Sequence, residues 1–224
     1  MQDTDILKSP TEDTNDSQET TSETQSSTLI NAKDTWSPNH FEYYGSESRT
    51  ILIEEEINSH SANAIVSQIQ QLSKLANTEP IIVHINTRGG DISAALMIYD
   101  ALRSTKCTIV TVVIGTCYSA GLIILSAGDI RLALKHATFF YHQPLLSAYM
   151  NSEEVLESTL WLYKKASKHT SNIIRKRIEM SKSKWKKKFK LSISKYFDAK
   201  KALKYNFIDS VIQYQEKHTN KGKE

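Results

Sequence analysis

From residue 49 onward the chain alternates short β-branched apolar runs with longer stretches in which apolar positions recur at helical spacing. Arg49-Thr-Ile-Leu-Ile-Glu54 reads as a strand, and Ala62, Ile65, Val66, Ile69, Leu72 and Leu75 then fall on one stripe of a helix over residues 60–75. Pro80-Ile-Ile-Val-His-Ile85 is the continuous apolar run expected of a strand buried on both faces. After Gly89-Gly90, Asp91 is placed to N-cap a helix that buries Ile92, Ala95, Leu96, Tyr99 and Leu102. Thr108-Ile-Val-Thr-Val-Val-Ile-Gly115 is a further strand, rich in β-branched residues. Ala120 to Ala127 reads as a short buried helix and residues 130–142 as two strand-like runs. This order predicts an α/β domain with a largely parallel sheet.

The pattern changes after His142. Asn151, with Glu154 three positions on, predicts the cap of a long helix carrying Val155, Leu156, Thr159, Leu162, Tyr163, Ala166, Ile173, Ile174 and Ile178, and running to about residue 180. That length exceeds what one domain needs to cover its own sheet, so part of the apolar face is expected against another subunit. Asp198 to Tyr205 reads as a short helix, and Phe207-Ile-Asp-Ser-Val-Ile212 as a last strand.

Residues 1–40 have no such pattern. They are rich in Ser, Thr, Asp, Glu, Asn and Gln, with eight acids, two bases and no aromatic before Trp36. A segment of that composition buries too little apolar surface to offset its ordering entropy, and a disordered acidic tail is expected. The predicted organisation is a tail over 1–40, one domain over 41–214 and a polar end over 215–224. The net charge of +3 hides a shift, because residues 41–224 hold 17 acids and 26 bases. Cys107 and Cys117 both lie in apolar surroundings, which argues against a disulfide framework and for a reducing compartment. No uninterrupted apolar stretch approaches the length of a membrane span, and the N-terminus has no signal-peptide pattern, so a cytoplasmic protein is expected. No His, Cys, Asp and Glu cluster has metal-ligand spacing, and no metal is expected.

Three segments carry candidate chemistry: Ser119 in Gly115-Thr-Cys-Tyr-Ser-Ala-Gly121, His142 in Phe140-Tyr-His-Gln-Pro144, and Asn86-Thr-Arg-Gly-Gly-Asp91. Together they can supply a nucleophile, a base to activate it and backbone N–H groups for an oxyanion, the roles acyl transfer needs. The serine is not in the Gly-x-Ser-x-Gly setting of an α/β-hydrolase.

Residues 49–212 resemble the proteolytic subunit of the Clp protease, ClpP. The resemblance rests on Asn86-Thr-Arg-Gly-Gly90, Ile98-Tyr-Asp100, Ser119-Ala-Gly121, Ser126-Ala-Gly-Asp129, His142-Gln-Pro144, Ala199 to Tyr205 and Ile208-Asp209, in order and at near-family spacing. It implies the ClpP/crotonase-like ββα superhelix with a protruding handle helix, here residues 152–180. It also implies a serine endopeptidase that cuts unfolded proteins to short peptides inside two stacked seven-membered rings, homo- or hetero-oligomeric. No cofactor is implied, ATP being used only by a partner AAA+ Clp ATPase. Position by position, the resemblance assigns Ser119 as nucleophile, His142 as general base, and the Gly90 and Ala120 N–H groups as oxyanion hole.

The departures are informative. Counted back from Ala199, the family's aspartate position holds Ser194, in Leu191-Ser-Ile-Ser-Lys-Tyr196. A serine can accept a hydrogen bond from the histidine but offers no negative charge to an imidazolium, and Asp198 lies four residues on. A weakly active or non-catalytic ring subunit that modulates an active paralogue is therefore the alternative reading. A crotonase-like acyl-CoA enzyme shares the fold but does not explain Ser119 beside His-Gln-Pro. From Lys164 to Lys190 there are twelve Lys or Arg and one acid, Glu179. A solvated helix face is the plain expectation and an anionic partner the alternative, nucleic acid being disfavoured even though Trp185 and Phe189 are interleaved. Residues 1–48 resemble no ATPase-docking loop of the family.

Overall fold

A computed structural model describes residues 49–75, 79–144, 153–190 and 194–212. The expected acidic tail, the Asn151 cap and the polar C-terminal end lie outside the described residues. The elements are β1 (Thr50–Ile53), α1 (Ser59–Leu75), β2 (Ile81–Thr87), α2 (Ile92–Ser104), β3 (Ile109–Tyr118), α3 (Gly121–Leu125), β4 (Ile130–Leu134) and β5 (Thr138–His142). There follow α4 (Glu153–Arg177), α5 (Lys182–Trp185) running into a π-helical turn (Lys186–Lys190), β6 (Ser194–Asp198), α6 (Ala199–Lys204) and β7 (Ser210–Ile212).

The predicted α/β architecture with a parallel sheet is the one observed. Strands β1, β2, β3, β4 and β7 are neighbours in that order, all parallel. β3 is shared between two partners. Its first half, Val110 to Val113, pairs with Ile130 to Ala133 of β4, and its second half, Thr116 to Tyr118, pairs with Thr138 to Phe140 of β5. The switch occurs where the register against β2 slips between Ile85 and Thr87. The Asn86 side chain fills the slip, its Oδ1 accepting from the Thr116 N–H at 3.0 Å and the Thr116 hydroxyl at 3.2 Å. A bulge of this kind bends its strand, and here it carries the end of β3 away from β4 and toward β5.

One face of the sheet packs on α1, α2 and α3 through a single large core that includes Ile51, Ile69, Ile85, Ile98, Val113 and Leu122. A smaller apolar cluster of Ile82, Val110, Val112, Ile130, Leu132 and Ile212 forms from the alternate positions of β2, β3, β4 and β7. Asp91 caps α2 as its position predicts, Oδ1 accepting from the Ala94 N–H at 2.7 Å. Two expectations are corrected. The α1 stripe runs out before the helix does, since Leu75 is 80% exposed, and the Thr108–Gly115 strand continues to Tyr118 because β5 gives its extension a partner. The strand β6 and the short turns of residues 182–190 were not legible in the sequence. They are held from below by an aromatic cluster in which Phe139 stacks on Phe197 at 5.3 Å and Trp185 on Phe189 at 4.8 Å.

The long helix α4 is packed along only part of its length: Ile174 and the following Ile178 are buried, while Val155, Trp161 and Leu162 are exposed. Its C-terminal end is tied to the start of β4, where Arg131 Nη1 donates to the Arg177 carbonyl at 3.4 Å. Arg131, almost wholly buried, donates from Nη2 to Asp209 Oδ1 at 2.6 Å and from Nε to Oδ2 at 3.1 Å. Arg177 donates to the Asp129 carbonyl at 2.9 Å. Burial by itself would raise the Asp209 carboxyl, but the hydrogen bonds and charge of Arg131, with Arg177 beyond, hold it below the usual carboxylate range. The pair therefore contributes stability at pH above the unfolded carboxylate value, about 4, and loses it as pH falls through the lower folded value. Asp209→Asn is expected to cost roughly 3 kcal/mol at neutral pH and to flatten the acid limb of stability, measured as urea midpoints against pH.

Candidate active site

The site forms where β2, β3 and β5 end on one side of the sheet. β2 runs into Thr87-Arg88-Gly89-Gly90, and this loop is pinned in place. The Thr87 hydroxyl donates to the Glu55 carbonyl at 2.7 Å and accepts from the Gly89 N–H at 3.0 Å. Ile57 bridges to Gly90 in parallel, its N–H donating to the Gly89 carbonyl at 2.8 Å and its carbonyl accepting from the Asp91 N–H at 2.7 Å. Gly89 takes φ +99°, a conformation side chains rarely adopt, and a Cβ there would lie 2.7 Å from Ser119 Cβ and 3.0 Å from the Ala120 nitrogen. The glycine is thus required by close approach to the serine.

Ser119 sits between the last residue of β3 and the start of α3, at φ +53°. Its N–H donates to the Phe140 carbonyl of β5 at 2.8 Å. A left-handed turn between strand and helix projects the side chain out of the backbone, and a non-glycine residue held there is strained by about 1–3 kcal/mol. Cys117, two positions earlier, points into the core, where burial pushes its thiol far above the usual range and leaves it unreactive.

Ser119, Ala120 and His142 line one shallow cleft, walled by Ile92, Ile174 and Pro144. No hydrogen bond joins Ser119 to His142 among the described residues. Gly90 does not line this cleft. It lies one residue beyond the glycine that touches Ser119, in an adjoining hollow with Glu54, Glu56 and Arg88. Among the described residues neither the Gly90 nor the Ala120 N–H has an acceptor, so both donors are available.

His142 ends β5, and its Nδ1 lies 2.6 Å from the Gln143 carbonyl oxygen. A carbonyl can only accept, so this contact places the proton on Nδ1 and leaves Nε2 as the basic nitrogen. Ser194 stands directly across the antiparallel β5–β6 pair from His142. At that position of the ladder, Cβ atoms are about 4.5–5.5 Å apart, near enough for a carboxylate to reach the ring. Asp198 is opposite Thr138 instead, and its Oδ1 caps α6 by accepting from the Lys201 N–H at 2.8 Å. Four residues along a strand is about 13 Å, so Asp198 serves the helix and not His142.

Two features of the site were not foreseen. The Gln143 carbonyl holds the tautomer, a role that no side-chain pattern announces. Tyr118, Phe140 and Tyr196, one from each of β3, β5 and β6, form an aromatic row beside His142. Phe140 stacks on Tyr196 at 4.0 Å and its ring centre is 5.2 Å from the imidazole. The alternation of β5 could have indicated Phe140, since it shares a face with His142. Trp185 and Phe189, by contrast, are 4% and 0% exposed and fill the core beneath β5, so they are anchors and not base-stacking platforms. Among the described residues no group of His, Cys, Asp and Glu could hold a metal ion, and no helix is long and apolar enough to cross a membrane.

Comparison with known proteins agrees with this geometry. A family profile described as Clp protease matches residues 41–215. The chain is 38% identical over 99 residues to an ATP-dependent Clp protease proteolytic subunit 2 of Prochlorococcus marinus, covering 43% of the chain and 49% of that protein. It is 32% identical over 171 residues to a proteolytic subunit 3 of a Synechococcus species, covering 74% and 83%, and 29% identical over 177 residues to a proteolytic subunit of Streptococcus uberis, covering 76% and 87%. The matched stretch thus spans about half the length of the Prochlorococcus proteins and most of the others. With the strand–serine–helix turn, the glycine loop against it and the histidine strand all in place, the chain belongs to the Clp protease family.

Proposed function

We propose that the chain is a serine endopeptidase subunit of the Clp type whose turnover is limited by the serine at position 194. The observation that carries this is the left-handed Ser119 between β3 and α3, pressed by Gly89 and sharing a cleft with His142. In this reading Ser119 Oγ attacks the scissile carbonyl and its proton passes to His142 Nε2. The carbonyl oxygen takes up negative charge against the Ala120 N–H, which lines the serine cleft, with the Gly90 N–H, one residue past the glycine pressed on Ser119, as the second donor at its edge. The C–N bond then breaks as the imidazolium returns the proton to the leaving amine, and water repeats the sequence to release the acyl group. Nucleophile and base must close to hydrogen-bond distance first, as catalytic pairs commonly do on binding substrate.

The Gln143 carbonyl supplies one function of a triad carboxylate, the tautomer, without the charge that stabilises the imidazolium. The Phe140 ring face supplies a weak substitute, about 0.5–1 kcal/mol at an exposed site. Loss of the charge elsewhere lowers kcat roughly 10⁴-fold, so slow proteolysis follows. The exposed apolar half of α4 supports ring assembly through that helix. Unfolded polypeptide as substrate, a Clp ATPase as the only user of ATP and a cytoplasmic setting complete the proposal. One observation favours a second reading, a non-catalytic ring subunit: an uncharged residue faces His142 across β5–β6.

A fluorophosphonate probe separates the two. Slow labelling of the wild type, none of Ser119→Ala, and a roughly 10²–10⁴-fold faster peptide turnover in Ser194→Asp are expected. Labelling that survives Ser119→Ala would sink the assignment, and no labelling even of Ser194→Asp would establish the non-catalytic subunit. Ser119→Gly is expected to unfold at higher denaturant by roughly 0.5–1 kcal/mol while losing all labelling, because glycine relieves the left-handed strain. Gly89→Ala is expected to cost about 2–3 kcal/mol in the same measurement and to abolish labelling, since its methyl group would occupy the place of Ser119.

A further inference from the structure

The catalytic cleft is shallow, but a much larger one of about 480 Å³ opens beside it between α4 and the α5 turn, within the range of ligand sites. Lys164, Lys168 and Arg175 stand on one face of α4, spread over about 16 Å at 1.5 Å per residue. Lys182 and Lys186 face them from the other wall, and among the described residues no acidic side chain lines the cleft. Among the described residues none of these five cations is in an ion pair. Cations gathered in a concavity with low-dielectric walls focus a positive potential that is not dissipated as it is on a convex helix face.

Two further observations point to an occupant. Trp185, 4% exposed, lines the cleft, and among the described residues its buried indole N–H has no acceptor. The cleft also lies next to the catalytic one: Gln143 lines it, and the residues on either side of Gln143, His142 and Pro144, line the catalytic cleft. Tyr141, edge-on to Trp185 at 5.2 Å, lines the catalytic cleft on the other side.

We infer that the cleft binds an acidic peptide segment, its carboxylates on Lys164, Lys168, Arg175, Lys182 and Lys186, and so selects acidic stretches of polypeptide for the adjoining Ser119. The selection rests on the peptidase reading above; the binding does not. Nucleic acid fits the cleft less well. Bases stack on exposed aromatic faces, whereas Trp185 lies stacked on Phe189 and edge-on to Tyr141, and Tyr163 is half-buried.

The test uses the full-length Ser119→Ala protein, so that an absence of peptidase activity in the wild type leaves the result readable. Fluorescence anisotropy compares a labelled peptide alternating Glu and Ala, its Gln–Ala counterpart and a single-stranded oligothymidylate of equal charge. Saturable binding of the Glu peptide alone is expected, weakened by salt and reduced roughly tenfold or more by Lys164→Glu with Lys168→Glu, both exposed positions. Circular dichroism confirms that the variant is folded. Equal binding of the Glu and Gln peptides, binding undiminished by the charge reversal, or preference for the oligonucleotide would overturn the inference.

Discussion

The structure depends on one close approach, that of the Gly89 backbone to Ser119. Everything near the site is arranged to allow it. The Thr87 hydroxyl and the Ile57 bridge hold the glycine loop from behind, and Asn86 fills the bulge that bends β3. The bend gives β3 a second partner, β5, and β5 ends at His142. A side chain at position 89 would break this sequence at its start, because Ser119 Cβ, the Tyr118 carbonyl and the Ala120 nitrogen already lie about the vacant Cβ position. Packed interiors relax only partly around such an intrusion.

Four aspartates of this fold are committed to the scaffold. Asp91 and Asp198 cap helices, Asp129 accepts from the Ile109 N–H and pairs with Arg103, and Asp209 neutralises the buried Arg131. None of these serves His142. The positive side chains are distributed differently, with Arg131 and Arg177 tying α4 to the sheet and a row of lysines left facing a cleft. The consequence is a histidine oriented by a neutral carbonyl next to a concentrated positive surface.

Strain and support are separated in space. Ser119 is in an unfavourable backbone conformation, and what holds it there is the Phe140 carbonyl of β5 and the buried turn of α3. Through its own Phe139 and Tyr141, β5 in turn rests on Phe197, Trp185 and Phe189, an aromatic layer whose edge-to-face and stacked pairs add to their burial. The same layer fixes β6 and so determines which residue faces His142.

The sequence by itself determined the order of strands and helices as far as His142, the long helix after it, the cap at Asp91, the serine turn and the vacancy of charge at position 194. Those features are local, because periodicity, cap chemistry and short motifs act over a few residues. Only the tertiary structure decided the rest. Strand β6 lies in a run of Lys, Ser and Tyr with no strand signal, and exists because β5 offers an edge and Phe197 a place in the core. Asp198 could not be separated from His142 until the β5–β6 register placed it opposite Thr138. The basic run reads as a solvated face along the chain, and becomes a cleft only because α5 folds back against α4, bringing charges from two walls into one low-dielectric space.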